Sequence, residues 1–191
     1  GTVILWDIET GEEIRRFEGH TDAVTTLEFS PDGTQLLTGS ADRTMRRWDV
    51  ESGEPIGTYR RHLGPLVDVA FNPVNPMQAL AMAIDTPPTL WNLDTGREIK
   101  RYFEHDVLNE PNLEVGSVAF SPDGEMIVGS FGIPFRVWET QSGALIHELL
   151  GHGSYVNSVA FSSDGTQVLT SAWRENSFRV CDVHHGIEVR R

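Results

Sequence analysis

Apolar and polar residues alternate in short runs along this chain, and turn-forming residues separate the runs. In the most regular stretch the alternation predicts four strands, over residues 24–29, 35–40, 44–49 and 55–59. The tetrapeptide Ser30-Pro31-Asp32-Gly33 predicts a tight turn between the first two, because proline fixes φ and glycine accepts a positive φ. No window of 11 or more residues carries a helical stripe free of glycine or proline, so the pattern predicts an all-β protein.

The same four-strand pattern recurs about every 43 residues. The third strand carries a marker residue, at Trp6, Trp48, Trp91, Trp138 and Cys181. An acidic or amide residue follows each marker directly, and a glycine follows it five residues later. Histidines recur in phase at His20, His62, His105 and His152, and phenylalanines at Phe29, Phe71, Phe120 and Phe161. Five kinds of marker in one phase indicate a single structural unit repeated along the chain.

The repeat divides one domain, residues 1–191, into a half-unit and four full units. The half-unit covers 1–17 and contains only a third and a fourth strand, predicted at 3–8 and 13–17. The full units cover 18–60, 61–103, 104–150 and 151–191. The unit at 104–150 carries a loop insertion, with six extra residues between His105 and Phe120.

The chain resembles the WD40 repeat in the order of four motifs: Gly19-His20, Phe29-Ser30-Pro31-Asp32-Gly33, Ser40-Ala41-Asp42 and Trp48-Asp49. The motifs themselves are similar to those of bacterial WD40 arrays. The resemblance covers essentially the whole chain and implies a β-propeller built from four-stranded antiparallel blades. We therefore expect an arc of about four and a half blades, open or part of a larger propeller. An open arc leaves apolar faces on its terminal blades, so we expect self-association through the exposed blade edges.

Charge and cysteine content exclude several classes of function. Lys and Arg number 15 against 28 Asp and Glu, a net charge of −13, which argues against nucleic-acid or anionic-membrane partners. A single cysteine allows no internal disulfide, and the longest apolar run is far shorter than the roughly 18 residues of a membrane helix. We expect a cytoplasmic location.

His20, Ser40 and Asp42 contain the residue types of a hydrolase triad. The WD40 resemblance implies a different role, a buried network in which Trp48, Ser40, His20 and Asp42 tie one blade together. No G-x-S-x-G motif accompanies them. We therefore expect a structural network, no catalytic residues and no enzymatic activity.

His184, His185 and Cys181 are potential zinc ligands, but the spacing typical of zinc sites is absent. The chain also contains no glycine-rich phosphate-binding motif. The sequence therefore predicts neither a metal site nor a cofactor.

The WD40 resemblance implies partner contacts three and five residues after the repeat histidine, and directly before the turn aspartate. In the first two full units these positions hold Ala23, Thr25 and Ala41, then Pro65, Val67 and Ile84. In the last two they hold Glu114, Gly116 and Phe131, then Tyr155, Asn157 and Trp173. The three aromatics predict an interface anchor, and the acidic insertion at 106–115 predicts a basic peptide as ligand. The alternative is that Trp173 folds inward to fill the space beside a degraded fifth-repeat network.

The function that these features favour is a non-enzymatic scaffold that binds a protein or peptide through loop residues. Two alternatives remain open. The chain could be an architectural WD40 array within a larger signalling or effector protein, or a catalytic propeller whose active residues lie in missing blades.

Overall fold

Strand pairing accounts for all the regular secondary structure in the described part of the chain, and that part contains no helix. The structure is a computed structural model that describes residues 1–84, 86–102 and 116–190, with Phe131 placed by its backbone alone. The strands form one two-stranded and four four-stranded antiparallel sheets. An arc of WD40-type blades, as predicted, accounts for this arrangement.

Strand bounds follow the repeat. The half-blade contains β1 (Thr2–Trp6) and β2 (Glu13–Glu18). The second blade contains β3 (Val24–Phe29), β4 (Gln35–Ser40), β5 (Met45–Asp49) and β6 (Pro55–Tyr59). The third contains β7 (Leu66–Phe71), β8 (Gln78–Ala83), β9 (Thr86–Asn92) and β10 (Arg97–Arg101). The fourth contains β11 (Gly116–Phe120), β12 (Met126–Phe131), β13 (Phe135–Glu139) and β14 (Leu145–Leu149). The fifth contains β15 (Val156–Phe161), β16 (Gln167–Ala172), β17 (Phe178–Asp182) and β18 (Ile187–Arg190).

Strand ends differ from the predicted ones where a side chain caps a turn. The prediction for β3, β4 and β6 is confirmed residue for residue, but β5 begins at Met45 rather than at Thr44. Thr44 belongs to the turn instead, because its N–H and hydroxyl both donate to Asp42 Oδ1, at 2.9 and 2.6 Å. β1 ends at Trp6, two residues early, because Asp7 Oδ1 accepts from the N–H groups of Glu9 and Thr10.

The turn between the first and second strands of a blade is built by its aspartate. Asp32 Oδ1 accepts from the Ser30 hydroxyl at 2.6 Å and from the Thr34 N–H at 3.0 Å. Gly33 has a φ of 71°, a conformation that glycine adopts without strain. The same bonds recur at the two other Ser-x-Asp-Gly turns, which begin at Ser121 and Ser162.

Successive blades pack face to face. Their innermost strands, β3, β7, β11 and β15, contact one another in that order, and the apolar core lies between neighbouring sheets. A tyrosine at the end of the fourth strand ties two blades to their successors. The Tyr59 hydroxyl donates to the Leu93 carbonyl at 2.7 Å, and the Tyr102 hydroxyl to the Thr140 carbonyl at 2.8 Å.

One face of the fifth blade is exposed where the corresponding faces of the other full blades are buried. Leu169 and Phe178 are 45% and 51% exposed, whereas Leu37 and Met45, at the same register positions of the second blade, are both 0% exposed. Val128 and Phe135 of the fourth blade are likewise buried. The expected apolar terminal face is therefore present on the fifth blade.

Candidate functional site

The arc has two opposite faces. We call the face that carries the 41–44 turn and the 60–65 connection the upper face, and the face that carries the 30–34 turn the lower face. All the predicted contact positions in the described residues lie on the upper face. This follows from the strand directions, because each contact position lies where a first strand begins or a second strand ends.

Two of these contact positions form a backbone pair in three blades. The residue before the turn donates its N–H to the carbonyl three residues after the repeat histidine: Ala41 to Ala23, Ile84 to Pro65, and Trp173 to Tyr155, each at 2.8 Å. The pairing fixes the separation of the two side chains before any partner arrives. Three blades therefore present equivalent pairs that differ mainly in side-chain size.

The fifth blade carries the largest pair. Trp173 follows β16 and is 49% exposed, so the alternative that it folds inward is wrong. Tyr155 precedes β15 and packs partly against the buried cluster that includes Leu80 and Met82. One ring is thus held by the core while its neighbour projects into solvent.

The end of β12 lies beside this pair. The Val156 N–H donates to the Gly132 carbonyl at 3.1 Å, which brings the backbone of Phe131, the last residue of β12, next to Tyr155. We call Phe131, Tyr155 and Trp173 the aromatic patch. The structure therefore brings together the three aromatic positions that the sequence singled out, across the fourth and fifth blades.

The two polar contact predictions have different outcomes. Asn157 is exposed on β15, and its Oδ1 accepts from the Ser171 hydroxyl at 2.9 Å. Glu114 and the acidic insertion at 106–115 lie outside the described residues. The described charges next to Trp173 are Arg174, which is exposed, and Glu175, which pairs with His152.

Sequence reasoning missed Leu63 on this face. It follows the third-blade histidine directly and is 74% exposed, the largest exposure of an apolar side chain on the upper connections described. The available signal was a large aliphatic residue in a connection where the second blade has Thr21.

A buried network supports the upper face in the second blade. His20 Nδ1 lies 2.9 Å from Asp42 Oδ2, and His20 Nε2 lies 2.7 Å from Thr38 Oγ1. The Trp48 Nε1–H donates to the same Thr38 oxygen at 2.9 Å. Burial alone would raise the pKa of Asp42, but hydrogen bonds from Thr44, the Thr21 N–H and His20 together lower it.

Thr38, not Ser40, supplies the hydroxyl of this network, so that part of the sequence prediction is wrong. Both residues lie on the same face of β4, but Thr38 lies opposite the middle of β5, within reach of the indole N–H. Ser40 is at the strand end, where its hydroxyl accepts the Asp42 N–H at 3.0 Å and contacts the Asp22 carbonyl. His20, Asp42 and Trp48 are placed as expected.

The fifth blade keeps the histidine, hydroxyl and carboxylate of this network, although Cys181 replaces the tryptophan. His152 Nδ1 lies 2.7 Å from Glu175 Oε2, and His152 Nε2 lies 2.9 Å from Thr170 Oγ1. The hydrogen bonds from His152 and from the Gly153 N–H lower the pKa of Glu175. The Glu175 side chain is longer than the Asp42 side chain of the second blade and so reaches His152 across one extra residue in the turn. The network of the fifth blade is therefore better preserved than its sequence indicates.

Neither network offers accessible chemistry. Thr38 and Thr170 are buried, and so are the histidine side chains that they contact. A hydroxyl in such a position is shielded from a substrate.

No group of three or more His, Cys, Asp or Glu side chains among the described residues is arranged to hold a metal ion. Burial raises the pKa of the Cys181 thiol to about 11, and His185 pairs with Asp182 instead.

The chain is similar to several known proteins. The family model described as "WD domain, G-beta repeat" matches residues 11–49 and 143–182. Guanine nucleotide-binding protein subunit beta-5b of Danio rerio is 35% identical over 183 residues, covering 94% of this chain and 45% of that protein. Pre-mRNA-processing factor 19 homolog 2 of Arabidopsis thaliana is 26% identical, covering 95% of this chain and 34% of that protein. An uncharacterized WD repeat-containing protein of Synechocystis is 29% identical, covering 83% and 44%.

The chain spans less than half the length of these curated relatives. No helix among the described residues is long and apolar enough to cross a membrane.

Proposed function

The chain belongs to the WD40-repeat family, and from this premise we propose that it is a non-enzymatic scaffold that binds a protein or peptide through the aromatic patch. The observation that carries the proposal is the exposure of Trp173, whose backbone N–H donates to the carbonyl of Tyr155, a residue that packs partly against the core. Aromatic rings on a rigid frame bury a large area with little loss of rotamer entropy, which makes them strong anchors for a partner.

Hydrogen bonds in the fifth blade make the aromatic patch rigid. Glu175 belongs to the turn that follows Trp173, and its bonds to His152 and to the Gly153 N–H fix that turn. A preorganised site loses less conformational entropy on binding than a mobile loop does. The network therefore serves the binding face without contacting the partner.

We propose a basic peptide with an apolar anchor as the ligand class. The net charge of −13 attracts cationic partners and speeds their association, and the insertion at 106–115, outside the described residues, contributes Asp106, Glu110 and Glu114 to that charge. Arg174 is the described basic residue closest in sequence to Trp173, so the positively charged side chains of the peptide would lie away from Arg174.

Peptide selection on the immobilised 191-residue chain tests this function. Enriched peptides should combine an apolar anchor with Lys or Arg, and Trp173→Ala should weaken their binding by about tenfold or more. Leu150→Ala is the matched control, because Leu150 is 72% exposed in the connection outside the patch. Equal binding by Trp173→Ala and the parent chain would refute the assignment of the site.

A second candidate role is architectural. The exposed Leu169 and Phe178 form a face that the other full blades cover with a neighbouring blade, so this face is suited to packing against another sheet. We propose that the 191-residue chain self-associates through it. Such packing is compatible with a WD40 array that acts as one part of a larger assembly.

A further inference from the structure

A cavity of about 430 Å³ opens between the innermost strands of the four complete blades. Its walls come from the ends of β3, β7, β11 and β15 and from the turns that follow three of them, so it lies towards the lower face, opposite the aromatic patch. The volume falls within the range of small-molecule and side-chain pockets. Nothing in the proposed function uses this end of the arc.

The walls combine apolar surface with two carboxylates. Leucine, phenylalanine and proline supply much of the apolar part, at Leu27, Phe71, Pro73, Phe120, Pro122 and Phe161. Glu28 and Asp68 are the titratable residues of the lining, and no Lys, Arg or His lines the cavity. The two carboxyl groups therefore have no positively charged partner among the lining residues.

The two carboxylates differ in what they bond. Asp68 Oδ1 accepts from the Thr26 hydroxyl and the Val69 N–H, and Oδ2 accepts from the Ser117 hydroxyl and the Val118 N–H. Glu28 accepts only the Phe71 N–H, through Oε2, so its Oε1 has no donor among the described residues. Asp68 is saturated by structural bonds, whereas Glu28 retains a free acceptor.

The surroundings of Glu28 disfavour an isolated charge. Burial, with a smaller contribution from the neighbouring Asp68, raises the pKa of Glu28 to about 7, although the Phe71 N–H acts in the opposite direction. The cavity residues supplied by β11 and β15 include no titratable group. A cation in the cavity would stabilise the ionised carboxylate that the protein alone stabilises poorly.

We propose that this lower cavity binds one basic side chain of a partner protein, with Glu28 as its counter-ion. The apolar walls accommodate the hydrocarbon stem of lysine or arginine. The free Oε1 accepts a hydrogen bond from the cationic group. This site is separate from the aromatic patch, so the chain has one recognition site on each face.

The test uses a minimal probe with the 191-residue chain. N-acetyl-arginine N-methylamide supplies the cation, and the citrulline analogue is its neutral counterpart of similar shape. In amide NMR spectra at pH 8, the arginine probe should shift the Phe71 and Val118 signals in a saturable way, and the citrulline probe should not. Equal shifts with both probes would show that charge is not recognised and would overturn the proposal.

The substitution Glu28→Gln separates binding from blade packing. A glutamine oxygen still accepts the Phe71 N–H, so the fold is retained while the charge is lost. Affinity for the arginine probe should fall by more than about tenfold. Glu18→Gln, a change at an exposed glutamate of β2, should leave affinity unaltered. Unaltered affinity in Glu28→Gln would overturn the proposal.

A pH comparison requires no variant. Lowering the pH from 8 to 6 protonates Glu28 while arginine stays cationic, so the parent chain should bind the arginine probe several-fold more weakly at pH 6. A pH-independent affinity would contradict the role of Glu28. Trp173→Ala should bind the probe like the parent chain. Failure of the lower-cavity proposal would therefore leave the proposed function of the aromatic patch intact, and failure of the proposed function would leave the lower-cavity proposal intact.

Discussion

His62 and Trp91 lie with ring centroids 4.8 Å apart in the third blade, yet neither His62 Nε2 nor Trp91 Nε1 has a hydrogen-bond partner among the described residues. In the second blade the corresponding two nitrogens share the Thr38 hydroxyl. The register places Ala81 at the position of Thr38, opposite Thr89 as Thr38 is opposite Arg46. Among its described residues, the third blade therefore has the histidine and the tryptophan of the network but no hydroxyl to accept from them.

Ala81→Thr should stabilise the protein. The new hydroxyl would lie between two buried polar nitrogens, and one satisfied hydrogen bond contributes about 1 kcal/mol to the free energy of unfolding. Urea denaturation followed by tryptophan fluorescence measures the change as a shift of the midpoint.

Ala79→Thr is the matched control for that substitution. Ala79 is equally buried two residues away on the same face of β8, but by register it corresponds to Leu36 and lies outside the network. It should destabilise the fold. If Ala81→Thr lowered the midpoint as much as Ala79→Thr does, the unfilled network would have no energetic significance.

Thr38→Val should destabilise the protein by about 1–3 kcal/mol, because an isosteric methyl leaves His20 Nε2 and the Trp48 N–H without their shared oxygen. Thr38→Ser keeps the hydroxyl and should retain most of the stability. Thermal unfolding of the two variants distinguishes loss of the hydroxyl from loss of packing. Identical melting of Thr38→Val and the parent chain would exclude Thr38 from the network.

Acid should destabilise the protein through His62. Burial lowers the pKa of His62 from 6.5 to about 4, so between these values the unfolded chain binds a proton that the folded chain does not. The contribution of His62 to stability should fall by about 1.4 kcal/mol as the pH drops from 7.5 to 5.5. Denaturant titrations of the parent chain and His62→Asn at both pH values give this loss by difference.

The comparison between variants is necessary because Glu28 acts in the opposite direction. Its folded pKa of about 7 lies above the ordinary value of 4.5, so its protonation stabilises the fold as the pH drops through that interval. His185→Asn is the control, since the side chain of His185 is 73% exposed. A pH response of His62→Asn equal to that of the parent chain would rule out a contribution from His62.

Phe178→Glu should reduce self-association. A charge on the exposed face of the fifth blade opposes burial of Leu169 and Phe178 against a second copy of the chain. Sedimentation velocity at micromolar concentration should show larger species for the parent chain and a monomer boundary for the variant. Leu150→Glu, with a comparable charge added elsewhere, should sediment like the parent chain. A sharp monomeric boundary for the parent chain would contradict this prediction.

The fold was predictable from the sequence because its markers lie in turns and near the ends of strands. Gly33 and Asp32 determine one turn and Trp48 marks one strand, so a fixed period locates every sheet. The hydroxyl of the network was not predictable. Thr38 and Ser40 are two residues apart, so both lie on the same face of β4, and only the register with β5 decides which hydroxyl reaches Trp48.

The aromatic patch was predictable in position but not in exposure. Spacing located Tyr155 and Trp173, but it did not reveal that Glu175 bonds His152 in this turn or that Trp173 is 49% exposed. The lower cavity was missed, although Glu28 and Asp68 interrupt otherwise apolar and hydroxyl-bearing first strands. An acidic residue in an innermost strand is a signal that could have located it.

The hydrogen bonds of Asp68 have a consequence for how the arc unfolds. From the third blade, Asp68 accepts from Thr26 of the second blade and from Ser117 and Val118 of the fourth. In repeat proteins that couple only nearest neighbours, one unit can open while the next stays closed. A single carboxylate shared by three successive units removes that independence. Opening the third blade leaves donors without an acceptor in both of its neighbours, so amide protons of β3, β7 and β11 should exchange with solvent in one cooperative event.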